Sequence, residues 1–544
     1  MNIDKDRLLG GKEPSDEQIK LCEFVAHGVG NAVVQARAGC GKSKTIELMC
    51  SVAHPRKKIL VVAHNRHIAE SITPKINEIC KYDGRKIDVM TYHQLGLKIL
   101  HSKFGNNKLE VDENKYVKYI KNNIDRISNG QYACFSSVQK YKYKKNLFSL
   151  VEYSRFNKAQ SASEIFDIAK KYDVKSVFNE CEAVKEILVW GSKHIDTIDF
   201  SDMIWLPYEF GIKANIPYLQ YDLIFVDEAQ DSSVIQQNLI EICKYRKTRL
   251  FVFGDENQTI NAWCGADDEA FNKFNEMDNV VKFTLNTSYR CSSEVADHVR
   301  ELIPDLRTPP NAVSGSVRYN VTSDEISVGD MVLCRITSPL ISLHLKLISR
   351  GIPSKVIGHD IGVELIEKLK SFDSENMRDV INEMYADLFM TWDDLANEHG
   401  CDLKDVVSES VITGKYDEIL SLETVSEGLQ SKWEVIERLN DMFIENNSID
   451  DNTVLLSTVH RAKGLESNNV FILCPSLMPS KLSKTEMDKK SEFNIMYVAR
   501  SRAKVNLNYI SEKEYPTKQS YLGINNMYKE LFEKHEKWKE GLTR

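Results

Sequence analysis

Short apolar runs of strand length alternate with helix-spaced apolar patterns in the first part of the chain. Such runs lie at residues 32–35, 59–63, 87–90, 223–226, 250–254 and 281–285. Each of the first three precedes a stretch with apolar residues at helical spacing. Because alternating strands and helices build parallel sheets covered on both faces, the pattern predicts an α/β domain.

The second part of the chain repeats this alternation. An α/β stretch covers residues 332–335, 343–350 and 354–357, and strand-like runs follow at residues 454–457, 470–473 and 505–509. The strand-rich parts are interrupted twice by segments that are predicted to be mostly helical. Residues 101–189 are rich in lysine, tyrosine and asparagine, and residues 365–452 are acidic. The simplest interpretation is two α/β domains, each with a helical insertion.

The composition is that of a globular protein, with 42% hydrophobic and 28% charged residues over 544 positions. No stretch approaches the roughly 18 uncharged apolar residues of a membrane span, and the N-terminus lacks a signal-peptide pattern. The 12 cysteines include no C-x-x-C pair, which argues against zinc or iron–sulfur clusters and suits a reducing cytoplasm. A net charge of −8 argues against a uniformly basic nucleic-acid coat, but it allows a local basic groove.

A phosphate-binding loop is indicated at residues 36–43, which read ARAGCGKS and follow an apolar run. This is close to the pattern G-x-x-x-x-G-K-[ST], with alanine at the first position. Backbone N–H groups of such a loop point at phosphate oxygens, and the helix N-terminus adds its positive dipole end. We therefore expect ATP to be held by Ala38, Gly39, Cys40, Gly41, Lys42 and Ser43. An ordinary turn between strand and helix is the alternative.

Two of these residues have side chains suited to ATP chemistry. Lys42 would contact the β- and γ-phosphates, and the Ser43 hydroxyl would bind Mg²⁺. Asp227 and Glu228 follow the run at residues 223–226, so they are expected at the carboxyl edge of the sheet, where ligands bind in open α/β folds. Asp227 would hold Mg²⁺ through water, and Glu228 would orient and deprotonate the attacking water. The alternative is a solvated acidic turn. The presence of a phosphate-loop motif upstream argues against it.

Further motifs, in one order from residue 18 to residue 503, resemble those of the UvrD/Rep-like superfamily 1 (subgroup A) DNA helicases. The quoted segments are Gln18 in SDEQ, residues 91–95 (TYHQL), residues 254–260 (GDENQTI) with Trp263, residues 285–290 (LNTSYR), residues 458–466 (TVHRAKGLE) and residues 497–503 (YVARSRA). The last two are close to T-x-H-x-x-K-G-L-E and Y-V-A-x-T-R-A. The resemblance therefore extends over most of the chain.

The resemblance implies the remaining nucleotide contacts. Gln18 would read the adenine edge, because an amide offers a donor and an acceptor side by side. Tyr289 would pack on adenine, Lys44 stands where many relatives have an arginine next to adenine, and Glu466 would reach the ribose. The catalytic set implied in this way comprises Lys42, Glu228, Gln258 as a sensor of the γ-phosphate, and Arg290 and Arg502 as arginine fingers.

The same resemblance assigns a set of DNA contacts. These residues are His64, Asn65, Thr91, His93, Trp263, Thr458 and His460. Trp263 would stack on a base, whereas Thr91, taken alone, is typical of a helix cap. Two positions depart from the family pattern. His64 replaces a base-stacking phenylalanine, in a form nearer to the F-box helicase branch, and Asn261 stands where relatives usually have a second aromatic residue.

Residues 140–145 interleave lysines with tyrosines. Cations can meet phosphates and rings can meet bases, so this tract suits a single strand of nucleic acid. A solvated helix face is an equally good interpretation of the pattern.

The fold implied by the resemblance is α/β, with two RecA-like parallel-sheet domains, each carrying a mainly helical insertion. The expected boundaries are residues 1–100 and 190–281 for the first RecA-like domain and 101–189 for its insertion. The second RecA-like domain is expected at 282–364 and 453–544, with a short insertion at 365–452. ATP would then use residues of both domains.

The implied activity is that of an ATP-dependent DNA helicase and single-stranded DNA translocase, with 3′ to 5′ polarity. The alternative is a DNA-stimulated ATPase that does not unwind, or a DNA-sensing motor that acts with a partner such as a nuclease. The expected ligands are ATP, Mg²⁺, single-stranded DNA and single-strand/duplex junctions, with a replication, recombination or nuclease protein as a further candidate partner. A monomeric motor is expected in the cytoplasm, encoded by a bacterium or a virus, without membrane contact.

Overall fold

The computed structural model describes most of the chain. The described residues are 13–64, 66–105, 109–135, 137–172, 174, 178–212, 216–260, 270–277, 279–406, 410–444, 452–479, 486–514 and 524–542. The chain forms two units, Met1–Thr287 and Ser288–Arg544. Each unit is built around one parallel sheet.

The first unit contains a central sheet and a helical region. Its strands are β1 (Asn31–Ala36), β2 (Lys58–Ala63), β3 (Lys86–Thr91), β4 (Glu110–Val111), β5 (Thr197–Ile198), β6 (Leu223–Val226), β7 (Arg249–Gly254) and β8 (Val280–Leu285). Its helices are α1 (Asp16–His27), α2 (Lys42–Val52), α3 (Arg66–Asp83), α4 (Tyr92–Phe104), α5 (Lys115–Ile127), α6 (Ser137–Phe156), α7 (Ala162–Lys171), α8 (Phe178–Lys193), α9 (Phe200–Glu209), α10 (Val234–Ile242) and α11 (Ala270–Asn275).

The central sheet has six strands in the order β3-β2-β6-β7-β1-β8, and neighbouring strands are parallel. Side chains alternate between its faces, as the period of two of a strand requires. In β2, for example, Leu60 and Val62 join one hydrophobic cluster, whereas Ile59 and Val61 join another. Both faces are therefore covered, which explains why the strands appear in the sequence as nearly continuous apolar runs.

One of these clusters continues from the sheet into helices α5 to α9. Ile120, Ile165 and Ile187 belong to the same cluster as Leu60 and Val62 of the sheet. Strands β4 and β5 form a small parallel pair at the two ends of this helical region. The insertion thus shares a continuous core with the sheet of the first unit.

The second unit contains a seven-stranded sheet in the order β12-β11-β13-β10-β14-β15-β9. Its strands are β9 (Ser316–Val321), β10 (Met331–Cys334), β11 (Ser354–Ile357), β12 (Phe443–Ile444), β13 (Val454–Thr458), β14 (Ser467–Ile472) and β15 (Ala503–Ile510). Its helices are α12 (Ser293–Arg300), α13 (Ser338–Ser349), α14 (His359–Lys370), α15 (Met377–His399), α16 (Leu403–Val406), α17 (Ser410–Val425), α18 (Lys432–Met442), α19 (Glu486–Arg500) and α20 (Ile524–Leu542). Neighbouring strands are again parallel, which confirms the predicted α/β class with two parallel sheets.

Helix α20 packs on α15, the long helix of the acidic region. The His535 ring is fully buried, with its centroid 5.2 Å from that of Phe389 and 5.5 Å from that of Trp392. Lys539 Nζ lies 3.2 Å from Asp393 Oδ1. Among the described residues, no helix is both long and apolar enough to span a bilayer.

Candidate active site and DNA surface

Most site residues predicted for the first unit lie along one edge of its sheet. Since parallel strands end at the same edge, the segments that follow β1, β7, β6, β2 and β3 come in that order along it. The loop 37–41 follows β1, Asp255 follows β7, Asp227 follows β6, and His64 follows β2. The predicted nucleotide residues therefore occupy the middle of the edge, and the predicted DNA residues occupy the side of β2 and β3.

The phosphate loop is shaped by two glycines with left-handed backbone conformation, Gly39 at φ 72° and Gly41 at φ 78°. Other residues rarely adopt this conformation. The Cys40 N–H donates to the Arg37 carbonyl at 3.2 Å, and the Thr45 N–H donates to the Gly41 carbonyl at 2.8 Å, where α2 begins. Cys40 is buried, as is Ala38. The loop is thus closed by its own backbone directly before the helix N-terminus.

Lys42 and Glu228 form an ion pair, with Nζ 2.6 Å from Oε1. Burial would lower the pKa of the Lys42 amine, but the carboxylates of Glu228 and Asp227 outweigh burial and hold that pKa above its usual value. Burial and the neighbouring Glu228 raise the pKa of Asp227 to about 6, although Lys42 opposes them. The backbone of Glu228 is left-handed, at φ 51°. The edge of the sheet therefore gathers one cation and two anions.

The residues predicted to hold Mg²⁺ are close together. Ser43 Oγ lies 3.5 Å from Asp227 Oδ2. A hydroxyl and a carboxylate are the hard oxygen donors that Mg²⁺ prefers, so this pair fits the ion. Among the described residues, no group of three or more His, Cys, Asp or Glu side chains forms another metal site.

A chain of hydrogen bonds leads from Glu228 to Gln258. Gln230 Nε2 donates to Glu228 Oε2 at 2.7 Å, and Gln230 Oε1 accepts from the Asp255 N–H at 3.2 Å. Gln258 Nε2 donates to Asp255 Oδ2 at 2.7 Å, while Arg37 Nη1 donates to Asp255 Oδ1 at 3.1 Å. The predicted γ-phosphate sensor is therefore connected to the carboxylate predicted to act on water.

Gln18 reaches the phosphate loop from α1. Its side chain is buried and closes a capping box with Ser15, whose N–H donates to Gln18 Oε1 at 3.1 Å. Gln18 Nε2 donates to Thr45 Oγ1 at 3.1 Å. Lys44 pairs with Glu47, with Nζ 2.7 Å from Oε2. The amide of Gln18 is thus held beside the first turn of α2.

The predicted DNA residues of the first unit form a small surface next to β2 and β3. Thr91 caps α4, because the Gln94 N–H donates to its Oγ1 at 3.3 Å. His64 Nδ1 is buried without a hydrogen-bond partner among the described residues. Burial, followed by the nearby His64, lowers the pKa of His93. Asn65, Trp263 and Asn261 lie outside the described residues.

Phe200 belongs to this surface although the sequence analysis did not select it. It is the first residue of α9 and is 47% exposed, with its ring edge-on to His93 at a centroid distance of 6.0 Å. An exposed aromatic ring can stack on a base. The sequence around it signals only the start of a helix, because Asp199 and Asp202 form a capping pattern on either side of Phe200.

In the second unit, the predicted nucleotide residues lie at the amino edge of the sheet. Glu466 and Arg502 directly precede the neighbouring strands β14 and β15. Arg290 Nε donates to Glu466 Oε2 at 2.5 Å, and Lys504 Nζ lies 2.8 Å from Glu466 Oε1. Tyr289 is half-exposed. The side chains of Arg290, Glu466 and Tyr289 are therefore at least partly exposed to solvent.

Arg502 is almost fully buried. Its guanidinium donates to the Val498 carbonyl at 3.0 Å, to the Leu465 carbonyl at 3.2 Å and to Ser501 Oγ at 3.1 Å. Burial and the nearby Arg290 lower its pKa to about 9. Arg502 is thus firmly anchored within its own unit.

Thr458 and His460 lie at the opposite, carboxyl edge of the second sheet. Thr458 ends β13, and its carbonyl accepts from the Arg461 and Ala462 N–H groups at 3.1 and 3.0 Å. Burial, together with the cations of Arg335 and Arg461, lowers the pKa of His460 to about 3. His460 is therefore neutral at physiological pH.

The lysine and tyrosine tract lies near the start of α6. Tyr143 packs near Phe135 and Tyr132, at centroid distances of 5.5 and 6.2 Å, and Lys140 Nζ lies 5.7 Å from the Tyr132 ring. Part of the tract is therefore occupied in packing the insertion.

Two family models match the chain. The model of the UvrD/REP helicase N-terminal domain matches residues 19–278, and the model of the UvrD-like helicase C-terminal domain matches residues 416–514. The first match lies within the first unit and the second within the second unit.

Curated relatives are similar over long stretches at low identity. A probable DNA helicase II homolog of Mycoplasma capricolum is 21% identical in an alignment that covers 87% of this chain and 81% of that protein. Gabija protein GajB of Bacillus cereus is 24% identical, over 58% of this chain and 69% of that protein. F-box DNA helicase protein 1 of Schizosaccharomyces pombe is 25% identical, over 55% of this chain and 34% of that protein.

Both family models describe parts of one helicase type, and both sheets carry the motif residues at their edges. The chain therefore belongs to the UvrD/Rep-like family of superfamily 1 DNA helicases and is a DNA-dependent ATPase of that class.

Proposed function

We propose that the protein is a motor that couples ATP hydrolysis to 3′ to 5′ stepping on single-stranded DNA and to duplex unwinding. The observation that carries this proposal is the meeting of Lys42, Ser43, Asp227 and Glu228 at one sheet edge. These are the groups that bind phosphates and Mg²⁺ and orient an attacking water in P-loop enzymes. The polarity rests on the family alone.

In the proposed ATP complex, Lys42 leaves Glu228 and pairs with the β- and γ-phosphates. Glu228 is then available to accept a proton from water. Mg²⁺ held near Ser43 and Asp227 would neutralise charge on the phosphate oxygens. The hydrogen-bonded chain through Gln230 would let Gln258 respond to the γ-phosphate and act on Glu228.

The second unit is proposed to complete hydrolysis. Arg290 and Arg502 would stabilise charge on the transferring phosphoryl group, Tyr289 would stack on adenine and Glu466 would bind the ribose. In this proposal neither unit alone is catalytic, so hydrolysis requires both. Arg290 is paired with Glu466 of its own unit.

DNA is proposed to bind along the β2–β3 side of the first sheet and the carboxyl edge of the second. The contacts are His64, Asn65, Thr91, His93, Trp263, Thr458 and His460, to which we add Phe200. Because His460 is neutral, it would contribute hydrogen bonds or stacking rather than charge. We further propose a monomeric motor that loads at single-strand/duplex junctions.

A strand-displacement assay tests this proposal, with matched duplexes that carry a 3′ tail, a 5′ tail or no tail. We expect ATP-dependent displacement of the 3′-tailed substrate. Displacement of only the 5′-tailed substrate would refute the polarity. A Lys42→Ala variant provides the control for ATP dependence.

The alternative is a DNA-stimulated translocase that does not unwind and serves a partner such as a nuclease. It is favoured by the short insertion predicted at residues 365–452, because this region stands where related helicases carry a larger domain that often controls unwinding and partner contacts. ATP hydrolysis that is stimulated by DNA, without displacement of any tailed duplex, would support this alternative.

A further inference from the structure

A buried charged cluster lies in the helical insertion of the first unit, outside the proposed ATP site. Its buried members are Lys115 and Tyr116 of α5, Arg155 of α6, and Asp199 and Asp202 at the start of α9, and the partly exposed Glu152 of α6 lies at its border. Arg155 is 1% exposed, Lys115 4% and Asp202 0%. Burial of charges is unfavourable unless each has a close partner, so such a cluster constrains the segments that carry it.

The residues on both sides of Phe200 are held by α6. Arg155 Nη1 donates to both carboxylate oxygens of Asp199, at 2.8 and 2.9 Å. Ser201 Oγ donates to Glu152 Oε2 at 2.6 Å. Arg155 also donates to Glu152. The neighbours of Phe200 in the chain are therefore tied to one helix of the insertion.

Asp202 connects the same turn to α5. Its carboxylate accepts from Lys115 Nζ at 2.6 Å, from the Tyr116 hydroxyl at 2.7 Å and from Arg155 Nη1 at 3.0 Å. The guanidinium of Arg155 lies over the Tyr116 ring, 4.3 Å from its centroid. Arg155 is thus the residue that contacts both carboxylates at the start of α9.

These two carboxylates also start α9 itself. The Asp202 N–H donates to Asp199 Oδ1 at 2.7 Å, and the Asp199 N–H donates to Asp202 Oδ2 at 3.3 Å, as in a capping box. Phe200 occupies the first helical position between them. The direction of its exposed ring is consequently determined by a turn that is held at three polar or charged positions around it, Asp199, Ser201 and Asp202.

We propose that Arg155 is a positioning residue that holds Phe200, through Asp199 and Asp202, in the orientation needed to stack on a DNA base. The proposal rests on the DNA contact proposed above for Phe200. In this proposal the insertion influences the affinity of the first unit for single-stranded DNA. Arg155 acts through the position of Phe200 and does not itself contact the base. If the cluster served stability alone, loosening it would change the melting temperature but not the dependence of ATP turnover on DNA concentration.

A double-mutant cycle tests the proposal, with the DNA concentration that half-saturates ATP turnover, KDNA, and kcat as readouts. Phe200→Ala is expected to raise KDNA about 10-fold, which corresponds to the loss of one base stack. Arg155→Lys retains the charge but loses the planar fork that reaches both carboxylates. It is expected to raise KDNA about 3- to 10-fold, within the value of one base stack, and to leave kcat unchanged.

The decisive result is the double variant. We expect Arg155→Lys to have no further effect on KDNA when Phe200 is alanine. An equal effect in both backgrounds, or no effect in either, would overturn the positioning role while leaving the DNA role of Phe200 intact. If Phe200→Ala leaves KDNA unchanged, the proposed DNA contact fails and the inference falls with it.

Two further variants distinguish the proposed role from a general effect on the structure of the insertion. Arg126→Lys, on α5, alters an exposed ion pair with Glu186 of α8, at 2.8 Å, and is expected to leave KDNA unchanged. If Arg155→Lys does not fold, Ser201→Ala replaces it in the cycle, because this change removes the bond to Glu152 without altering any charge. The same non-additivity with Phe200→Ala is expected, and additive effects would contradict the proposal.

Discussion

Lys42 Nζ lies 2.6 Å from Glu228 Oε1, so the lysine expected to bind phosphate is engaged by the carboxylate expected to act on water. The pair draws together residues that are 186 positions apart in the sequence. In the proposed ATP complex, Lys42 exchanges this contact for one with phosphate. Removing the carboxylate of Glu228 is therefore expected to favour nucleotide binding but to slow hydrolysis.

Glu228→Gln is expected to retain ATP binding and to reduce hydrolysis by about 10²- to 10⁴-fold, because the amide cannot accept a proton from water. The amide also removes the negative charge that holds Lys42, so binding should be as tight as in the wild type or tighter. Fluorescent-nucleotide titration and steady-state ATPase assays measure the two effects. Hydrolysis within 3-fold of wild type, roughly 0.7 kcal/mol in the barrier, would contradict the role of Glu228.

Arg290→Ala and Arg502→Ala are each expected to reduce kcat by about 10³- to 10⁵-fold, as loss of an arginine finger does. Because Arg502 is buried and bonded to backbone carbonyls, its variant should also lower the melting temperature, whereas the partly exposed Arg290 should not. Arg318→Ala, at an exposed ion pair with Glu325, is the matched control and should retain activity. Near-normal turnover in either finger variant would exclude it from catalysis.

The sheets and the glycine-containing loop between β1 and α2 could be predicted because both depend on local sequence. Strands buried on both faces are apolar runs, and the phosphate loop needs glycines and a lysine at fixed spacing. Phe200 could not be singled out, because an isolated phenylalanine indicates a core position as readily as a binding one. The Arg155–Asp199 contact depends on how α6 meets α9, and the packing of α20 on α15 depends on tertiary contacts that no short pattern encodes.

Cys40 is expected to resist alkylation although it lies in the phosphate loop. It is buried, and burial raises the pKa of its thiol to about 12, so little thiolate is present at pH 8. The exposed Cys134 serves as an internal control that should react readily. Mass spectrometry of peptides after brief treatment with N-ethylmaleimide measures both sites. Modification of Cys40 at the rate of Cys134 would show that the loop opens in solution.

Asp199 is expected to make stability depend on pH. Burial, followed by the neighbouring Asp202, raises its pKa to about 6 despite Arg155. A raised carboxyl pKa means that the folded state binds the proton more tightly, so the stability it contributes is present below about pH 4 and lost as the pH rises through 6. Relative to wild type, Asp199→Asn should therefore gain melting temperature between pH 5 and pH 7.5. A constant difference across this range would contradict the shifted pKa.

The central claim is that the sheet-edge residues hydrolyse ATP in response to single-stranded DNA. The most direct test is steady-state ATP turnover by the wild type and Lys42→Ala, with and without an unstructured oligonucleotide, in the presence of Mg²⁺. We predict strong stimulation of the wild type by the oligonucleotide and turnover at background level for Lys42→Ala in both conditions. Turnover that is independent of DNA, or full activity of Lys42→Ala, would contradict the account.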